Sequence, residues 1–266
     1  LSRRNDYLAR WGLTLDGDPI AAGHSNSEVY PVRRDGAPAV LKIAHHPEEM
    51  RGGAIMRWWE GQGAAAVLAH DERAVMLERA TGCRSLADMA RSGEDDAATR
   101  ILAEAARTLH GHAGRAPPSE VIRLRDWFAA LWATADARRG LFAQSRAAAD
   151  ALFSQPEREV VLHGDIHHGN VLDFGARGWL AIDPKGVLGD HGYDYANTFC
   201  NPDGTTPERM RRQLPIVAEV SGLAPQRLLM WVLAYAGLSA SWTLEDGGDP
   251  APAIRIAEIA AAELGV

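Results

Sequence analysis

The stretch His163-Gly164-Asp165-Ile166-His167-His168-Gly169-Asn170, followed by Ile182-Asp183-Pro184, holds the densest set of side chains able to do chemistry. Asp165 and Asn170 sit in one polar, glycine-punctuated loop and Asp183 closes the hairpin that follows, so three oxygen-bearing heads can converge at one end of one unit. Phosphoryl transfer asks for that arrangement. A carboxylate positions the acceptor hydroxyl and takes its proton, while an amide oxygen and a second carboxylate hold the Mg2+ that bridges the phosphates. Asp165 is then the candidate base, and Asn170 and Asp183 are the candidate metal ligands. A metallohydrolase is the rival from another class, because His163, Asp165 and His167 alternate and His168, Asp183 and His191 could complete a zinc or two-metal set. The spacing matches no standard zinc motif, and that chemistry gives Asn170 and Lys42 no task. A catalytically inactive nucleotide-binding module is a further rival, but base, metal ligands and lysine are all present.

Those residues need elements to hold them. Val160-Val161-Leu162 reads as a strand, and Val171-Leu172 and Trp179 to Ile182 flank a turn at Gly175 to Gly178, which makes a hairpin with two polar mouths. Upstream, Val29 to Val32 and Ala39 to Ile43 are β-rich runs around Asp35-Gly36, a strong hairpin signal. Pro47 can open a helix whose first-turn acids Glu48 and Glu49 suit the positive end of its dipole, with Ile55, Met56 and Trp59 as its apolar face and Gly61 and Gly63 at its end. Ala74 to Leu77 is a short strand that gives way to a linker at Glu78 to Gly82. Helices dominate beyond it: Ile101, Leu102, Ala105 and Leu109 recur at helical spacing, as do Leu124, Trp127, Phe128, Leu131 and Trp132. Glu208 to Gly265 is mostly helical, with breaks near Gly222 to Pro225 and Asp246 to Pro252.

At 266 residues the chain has room for one large or two small domains. With 46% hydrophobic residues it can bury a core, and its 26 glycines and 14 prolines stay below the roughly 25% that signals low complexity. The net charge of −7 opposes the basic field a phosphate-backbone binder needs, which argues against nucleic acid and for cationic small molecules. Cys83 and Cys200 make neither a disulfide framework nor a thiolate metal site, so a reducing cytoplasm is the expected compartment. The longest uncharged run, Leu228 to Leu244, is shorter than a membrane span and reads as a buried helix.

The pattern H-x-D-x-x-x-x-N followed by a metal-binding Asp resembles the protein-kinase-like superfamily. Gly164 stands where protein kinases carry the loop arginine, and Asp183-Pro184-Lys185-Gly186 replaces Asp-Phe-Gly, as in small-molecule kinases such as the aminoglycoside phosphotransferases. His163 to Asn170 together with Gly178 to Gly186 looks like the streptomycin 6-kinase and hydroxyurea phosphotransferase family. Arg51-Gly52, Trp58, Gly61 to Ala64, Met76-Leu77-Glu78, Arg227-Leu228-Leu229 and Ser239 to Trp242 fall in the order that family implies, so the resemblance spans nearly the whole chain.

The resemblance implies an α+β, bilobal protein-kinase-like fold: a small antiparallel-sheet lobe over residues 1–78 that binds nucleotide, a hinge at 79–82, and a larger helical lobe over 83–266 carrying the catalytic loop and acceptor site. It implies ATP and Mg2+ as cofactors, and transfer of the γ-phosphate to a hydroxyl of a small cationic acceptor. That acceptor is streptomycin or a related aminoglycoside, with hydroxyurea or another metabolite as the alternative. Lys42 matches the strand lysine that contacts the phosphates, paired with Glu49, with Glu48 and Glu60 as alternatives. The phosphate-covering segment Ala22-Gly23-His24-Ser25-Asn26-Ser27 has one glycine, and Ser27 with backbone amides near Ser25 would serve there. Glu78 to Ala80 would offer backbone groups to the adenine edge while Met76 lines its pocket, or else sits in the core. His163 would anchor the loop, and Asp194 would cap a helix tied to it. Lys185 would neutralise the transferring phosphoryl group. Asp190, Trp242, Glu245 and Asp246 are the acceptor candidates, with solvated surface positions as the alternative. A monomer without nucleic-acid or membrane partners is expected.

Overall fold

The computed structural model describes residues 3–20, 27–112, 114–202 and 204–266. Strands β1 (Leu13–Leu15), β2 (Ser27–Arg34), β3 (Ala37–Ala44), β4 (Val67–His70) and β5 (Ala74–Glu78) form an antiparallel sheet in the order β1-β2-β3-β5-β4. The β2–β3 turn falls at Asp35–Gly36, where both residues take positive φ (51° and 81°), as a two-residue hairpin of primed type requires. Register then assigns the faces. Val29, Lys42 and Val75 lie opposite one another on one face, and Tyr30, Leu41 and Met76 lie opposite one another on the other.

Helix α1 (Arg3–Trp11) covers the outer face, setting Tyr7, Leu8 and Trp11 against a cluster of Leu13, Tyr30, Val32, Leu41, Ile43 and Met76. This helix is absent from the sequence reading because charged residues surround its three-residue apolar stripe. Helix α2 (Pro47–Trp59) covers the inner face with Ile55, Met56 and Trp59 buried, and ends at Glu60 in the left-handed conformation.

Beyond Glu78 the chain crosses to α3 (Leu86–Arg91) and α4 (Asp95–Leu109), and then to β6 (Ile122–Arg123). The apolar run around Leu124 to Trp132 is not one helix. It divides into α5 (Leu124–Trp127) and α6 (Ala129–Ala137) at Phe128, whose buried ring sits among Trp132, Phe153 and Tyr193. After α7 (Leu141–Ser154) come β7 (Glu159–Leu162), β8 (Val171–Asp173), β9 (Trp179–Ala181) and β10 (Val187–Asp190). β8 and β9 form the expected hairpin, and β10 pairs with both β7 and β6. The chain ends in α8 (Gly192–Cys200), α9 (Pro207–Ser221), α10 (Pro225–Glu245) and α11 (Ala251–Leu264).

Helix α10 is the axis of the helical lobe, buried from Leu228 to Ser241 on most of its positions, which accounts for its long uncharged run. Among the described residues no single helix is long and apolar enough to cross a membrane. At Gly237 it crosses α7 so closely that a Cβ there would stand 2.4 Å from the Ser145 side chain. A glycine inside a helix costs about 1 kcal/mol relative to alanine, and this contact is what that cost secures. Gly237→Val should therefore lower unfolding stability by about 1–3 kcal/mol through overpacking, read as a lower urea midpoint at unchanged m-value.

Candidate active site

The loop between β7 and β8 is held by its backbone. Asp194, in the first turn of α8, accepts hydrogen bonds from the amides of His163 and Gly164, each at 2.9 Å, and pairs with His110 at 2.8 Å. It is the third residue of α8 rather than its cap, which is His191. Burial pushes the Asp194 carboxyl up, but His110 and the amide donors outweigh it and keep it anionic. His163 is fully buried, with Nδ1 accepting from the Asp165 amide at 3.2 Å and Nε2 donating to the Ile182 carbonyl at 2.8 Å. Those partners fix one neutral tautomer, and burial lowers the ring's pKa further. His163 therefore anchors the loop to the Asp183 turn and has no nitrogen lone pair left for a metal.

This anchoring brings three side chains together. Asp165 is partly exposed; its Oδ1 accepts from Asn197 Nδ2 at 3.2 Å, and its Oδ2 lies 3.4 Å from Asn170 Nδ2. Burial raises its pKa, while His167 and Lys185 pull it back. Asn170 donates to the Asp165 carbonyl at 2.9 Å, which turns its amide oxygen away from the loop, and no described residue donates to that oxygen. Asp183 sits in the left-handed region (φ 59°), unusual for a residue with a side chain, and its carboxylate meets the Lys42 ammonium. Burial pushes the Asp183 carboxyl up, and Lys42 and Lys185 override it to leave it lowered. An amide oxygen beside an ionised carboxylate is the hard-oxygen donor set that suits Mg2+.

Lys42 also pairs with Glu49, so one ammonium joins the sheet, α2 and the Asp183 turn. Of the three helix acids, Glu49 faces Lys42, Glu48 lies 3.3 Å from Lys185, and Glu60 pairs with Arg115 at the far end. Gly52 lets α2 reach the same turn, since a Cβ there would stand 2.5 Å from the Pro184 carbonyl oxygen. The pair Arg51-Gly52 thus packs against the Asp183-Pro184 turn.

Met76 and Asp190 lie elsewhere than the sequence suggests, and the other candidate residues take the following places. Met76 does not line the cleft: it lies on the sheet face opposite Lys42, fully buried beneath α1. Ser27, at the start of β2, donates its hydroxyl proton to Glu49 at 3.0 Å, so it braces the lysine pair; 22–26 lie outside the described residues. Glu78 uses its amide on Ala66 and its carboxylate on Ala66 and Arg177, whereas Ala80 forms no backbone hydrogen bond with any described residue. Asp190 faces neither acceptor nor solvent. Its buried carboxylate accepts from the amides of Glu157 and Gly192, each at 2.8 Å, and from Arg227 at 2.7 Å. Trp242 is half-buried in edge contact with Trp127, and Glu245 and Asp246 are exposed at the end of α10 with no side-chain partner among the described residues. No group of three or more His, Cys, Asp or Glu able to hold a metal occurs among the described residues. His168 is buried, its pKa pressed to about 4 by burial and Arg209.

Asn197 was missed. It is buried on α8 one turn beyond Asp194, and the spacing Asp194-x-x-Asn197 was the signal that both side chains meet the same loop.

An antiparallel-sheet lobe joined to a helical lobe, with a lysine–glutamate pair above an Asp–Asn–Asp set, defines a protein-kinase-like phosphotransferase. The chain belongs to the aminoglycoside/hydroxyurea antibiotic resistance kinase family, which matches residues 10–247. It is 44% identical to a streptomycin 3''-kinase of Klebsiella pneumoniae over 90% of this chain and 92% of that one. It is 35% identical to a streptomycin 6-kinase of Streptomyces glaucescens, over 95% and 86% of the two chains. Its fold matches a crystal structure of a thermostable aminoglycoside phosphotransferase APH(4)-Ia mutant in ternary complex with AMP-PNP and hygromycin B, with TM-score 0.71 and 20% identity over 98% of each chain.

The buried Asp190 carries a pH signature. Burial alone would raise its carboxyl, but His191, the two amides and Arg227 bring it down to about 2. A folded-state pKa below the unfolded value near 3.9 stabilises above that value and is lost as pH falls toward 2. Urea unfolding should therefore show Asp190→Asn less stable than wild type at pH 6, with the gap narrowing by about 2 kcal/mol as pH falls through 4 toward 2.

Proposed function

We propose that this protein transfers the γ-phosphoryl group of ATP to a hydroxyl of streptomycin. The observation that carries the reading is the placement of Asp165, Asn170 and Asp183 at one end of one hairpin, with Lys42 reaching Asp183 from the other lobe. Asp165 takes the proton of the acceptor hydroxyl as its oxygen bonds to the γ-phosphorus and the bond to ADP breaks. Asn170 and Asp183 would hold Mg2+, which supplies charge neutralisation along the phosphates. Lys42, kept in place by Glu49, and Lys185, kept by Glu48, give the cleft two half-buried ammonium groups for phosphate oxygens.

The adenine would lie between lobes. Val40 and Leu77 share the Lys42 face of the sheet above, and half-buried Leu172 and Ile182 stand below on the hairpin that carries the metal ligands. The free backbone groups of Ala80 suit the adenine edge. A cationic acceptor would lie on the helical-lobe side, where Trp242, Glu245 and Asp246 offer an aromatic face and two carboxylates. The 44% identity to the 3''-kinase, against 35% to the 6-kinase, favours the 3''-hydroxyl as the acceptor.

The reading is tested by ATP turnover with streptomycin, other aminoglycosides, hydroxyurea and simple sugars, with the product located by NMR. Streptomycin-dependent ADP release and one added phosphate at the 3''-oxygen are expected; turnover only with hydroxyurea or a sugar would overturn the acceptor. Asp165→Asn should lower kcat by about 10²- to 10⁴-fold while nucleotide affinity holds. Asp183→Asn should remove the Mg2+-dependent part of nucleotide affinity, seen when titrations with and without EDTA converge.

A further inference from the structure

A carboxylate that acts as a base must keep one oxygen available and hold its plane still. Asp165 is not braced by its own loop alone. Asn197, only 2% exposed and carried by α8, donates from Nδ2 to Asp165 Oδ1 at 3.2 Å. Its own amide oxygen accepts from Asn201 Nδ2 at 2.7 Å, one turn further along. The second bond fixes the first: with Asn201 donating to the oxygen, the Asn197 nitrogen must face the carboxylate, which can only accept. Among the described residues the other carboxylate oxygen, Oδ2, has only the longer 3.4 Å approach of Asn170 and a 3.9 Å approach of the His167 ring.

We propose that Asn197, oriented by Asn201, is a positioning residue that occupies Oδ1 of Asp165 and so presents Oδ2 to the acceptor hydroxyl. The inference rests on the reading of Asp165 as the base. A misdirected base slows the chemical step without weakening nucleotide or acceptor binding, because neither need touch Asn197. Helix α8 already carries Asp194, which holds the backbone of the catalytic loop, so one rigid element sets both the loop and the orientation of its reactive side chain.

Wild type, Asn197→Leu, Asn201→Ala and Asp165→Asn are compared in steady-state kinetics with ATP and streptomycin, with melting temperature as a fold control. Asn197→Leu keeps the volume and removes both hydrogen bonds. Its kcat should fall roughly 10- to 100-fold while both KM values stay within about threefold. Asn201→Ala, at a half-buried position that does not touch Asp165, should lower kcat by a smaller factor in the same pattern. Unchanged kcat in a folded Asn197→Leu, or a loss carried by KM, overturns the proposal. If Asn197→Leu does not fold, Asn201→Ala decides: a kcat loss at constant KM supports the relay and wild-type kinetics overturn it. Full turnover by Asp165→Asn instead overturns the base assignment, and the inference with it.

Discussion

One ammonium group between two carboxylates holds the active cleft together. Lys42 comes from the sheet, Glu49 from α2 and Asp183 from the helical lobe, so the three cannot meet unless both lobes and the helix between them are correctly placed. Each of the three is mostly withdrawn from solvent, and desolvating such charges is costly unless the partners satisfy one another. The contact therefore depends on geometry supplied elsewhere: Gly52 and Gly186 allow α2 and the turn to approach, and Ser27 and Lys185 brace Glu49 from two sides. Charge balance makes this arrangement sensitive to the nucleotide. Lys42 satisfies Glu49 and Asp183 together, so a phosphate brought into the cleft would compete with two carboxylates for one ammonium.

The sequence revealed the chemistry better than the directions of its side chains. Asp165, Asn170 and Asp183 were legible because their short separation confines them to one loop and one hairpin. The partner of Lys42 could not be read from composition, since Glu48, Glu49 and Glu60 are all acids of one helix region; helix phase decides it, turning Glu49 to the sheet and Glu48 to Lys185. Met76 shows the same problem in a strand. A residue on β5 one position away faces the other side of the sheet, and only the pairing register with β3 shows that Met76 belongs with Leu41 rather than with Lys42.

Asp190 shows a different limit. An aspartate near the catalytic segment reads naturally as an exposed contact, yet its partners are the neighbouring Gly192 amide and two distant positions, Glu157 ahead of β7 and Arg227 at the start of α10, which reaches the end of β10. Buried charge is unexpected until its full set of donors is known. The break at Phe128 is similar: helical spacing runs through it, and aromatic packing against Phe153 and Tyr193 overrides the periodicity.

The helical lobe thus places three aspartates within a few turns of chain and gives each a different environment. Asp194 accepts only fixed donors and stays ionised as a brace. Asp183 is held ionised by two lysines, which suits a cation ligand. Asp165, by contrast, is raised by burial and among the described residues has no ion pair with lysine or arginine, so it keeps affinity for a proton. The donor it receives is a neutral amide, which can orient the carboxylate without removing its basicity as a bound cation would. Identical side chains are therefore set apart by what surrounds them: α8, the β8–β9 hairpin and the Lys42 strand each supply a different partner, and one residue type acquires three different affinities for a proton.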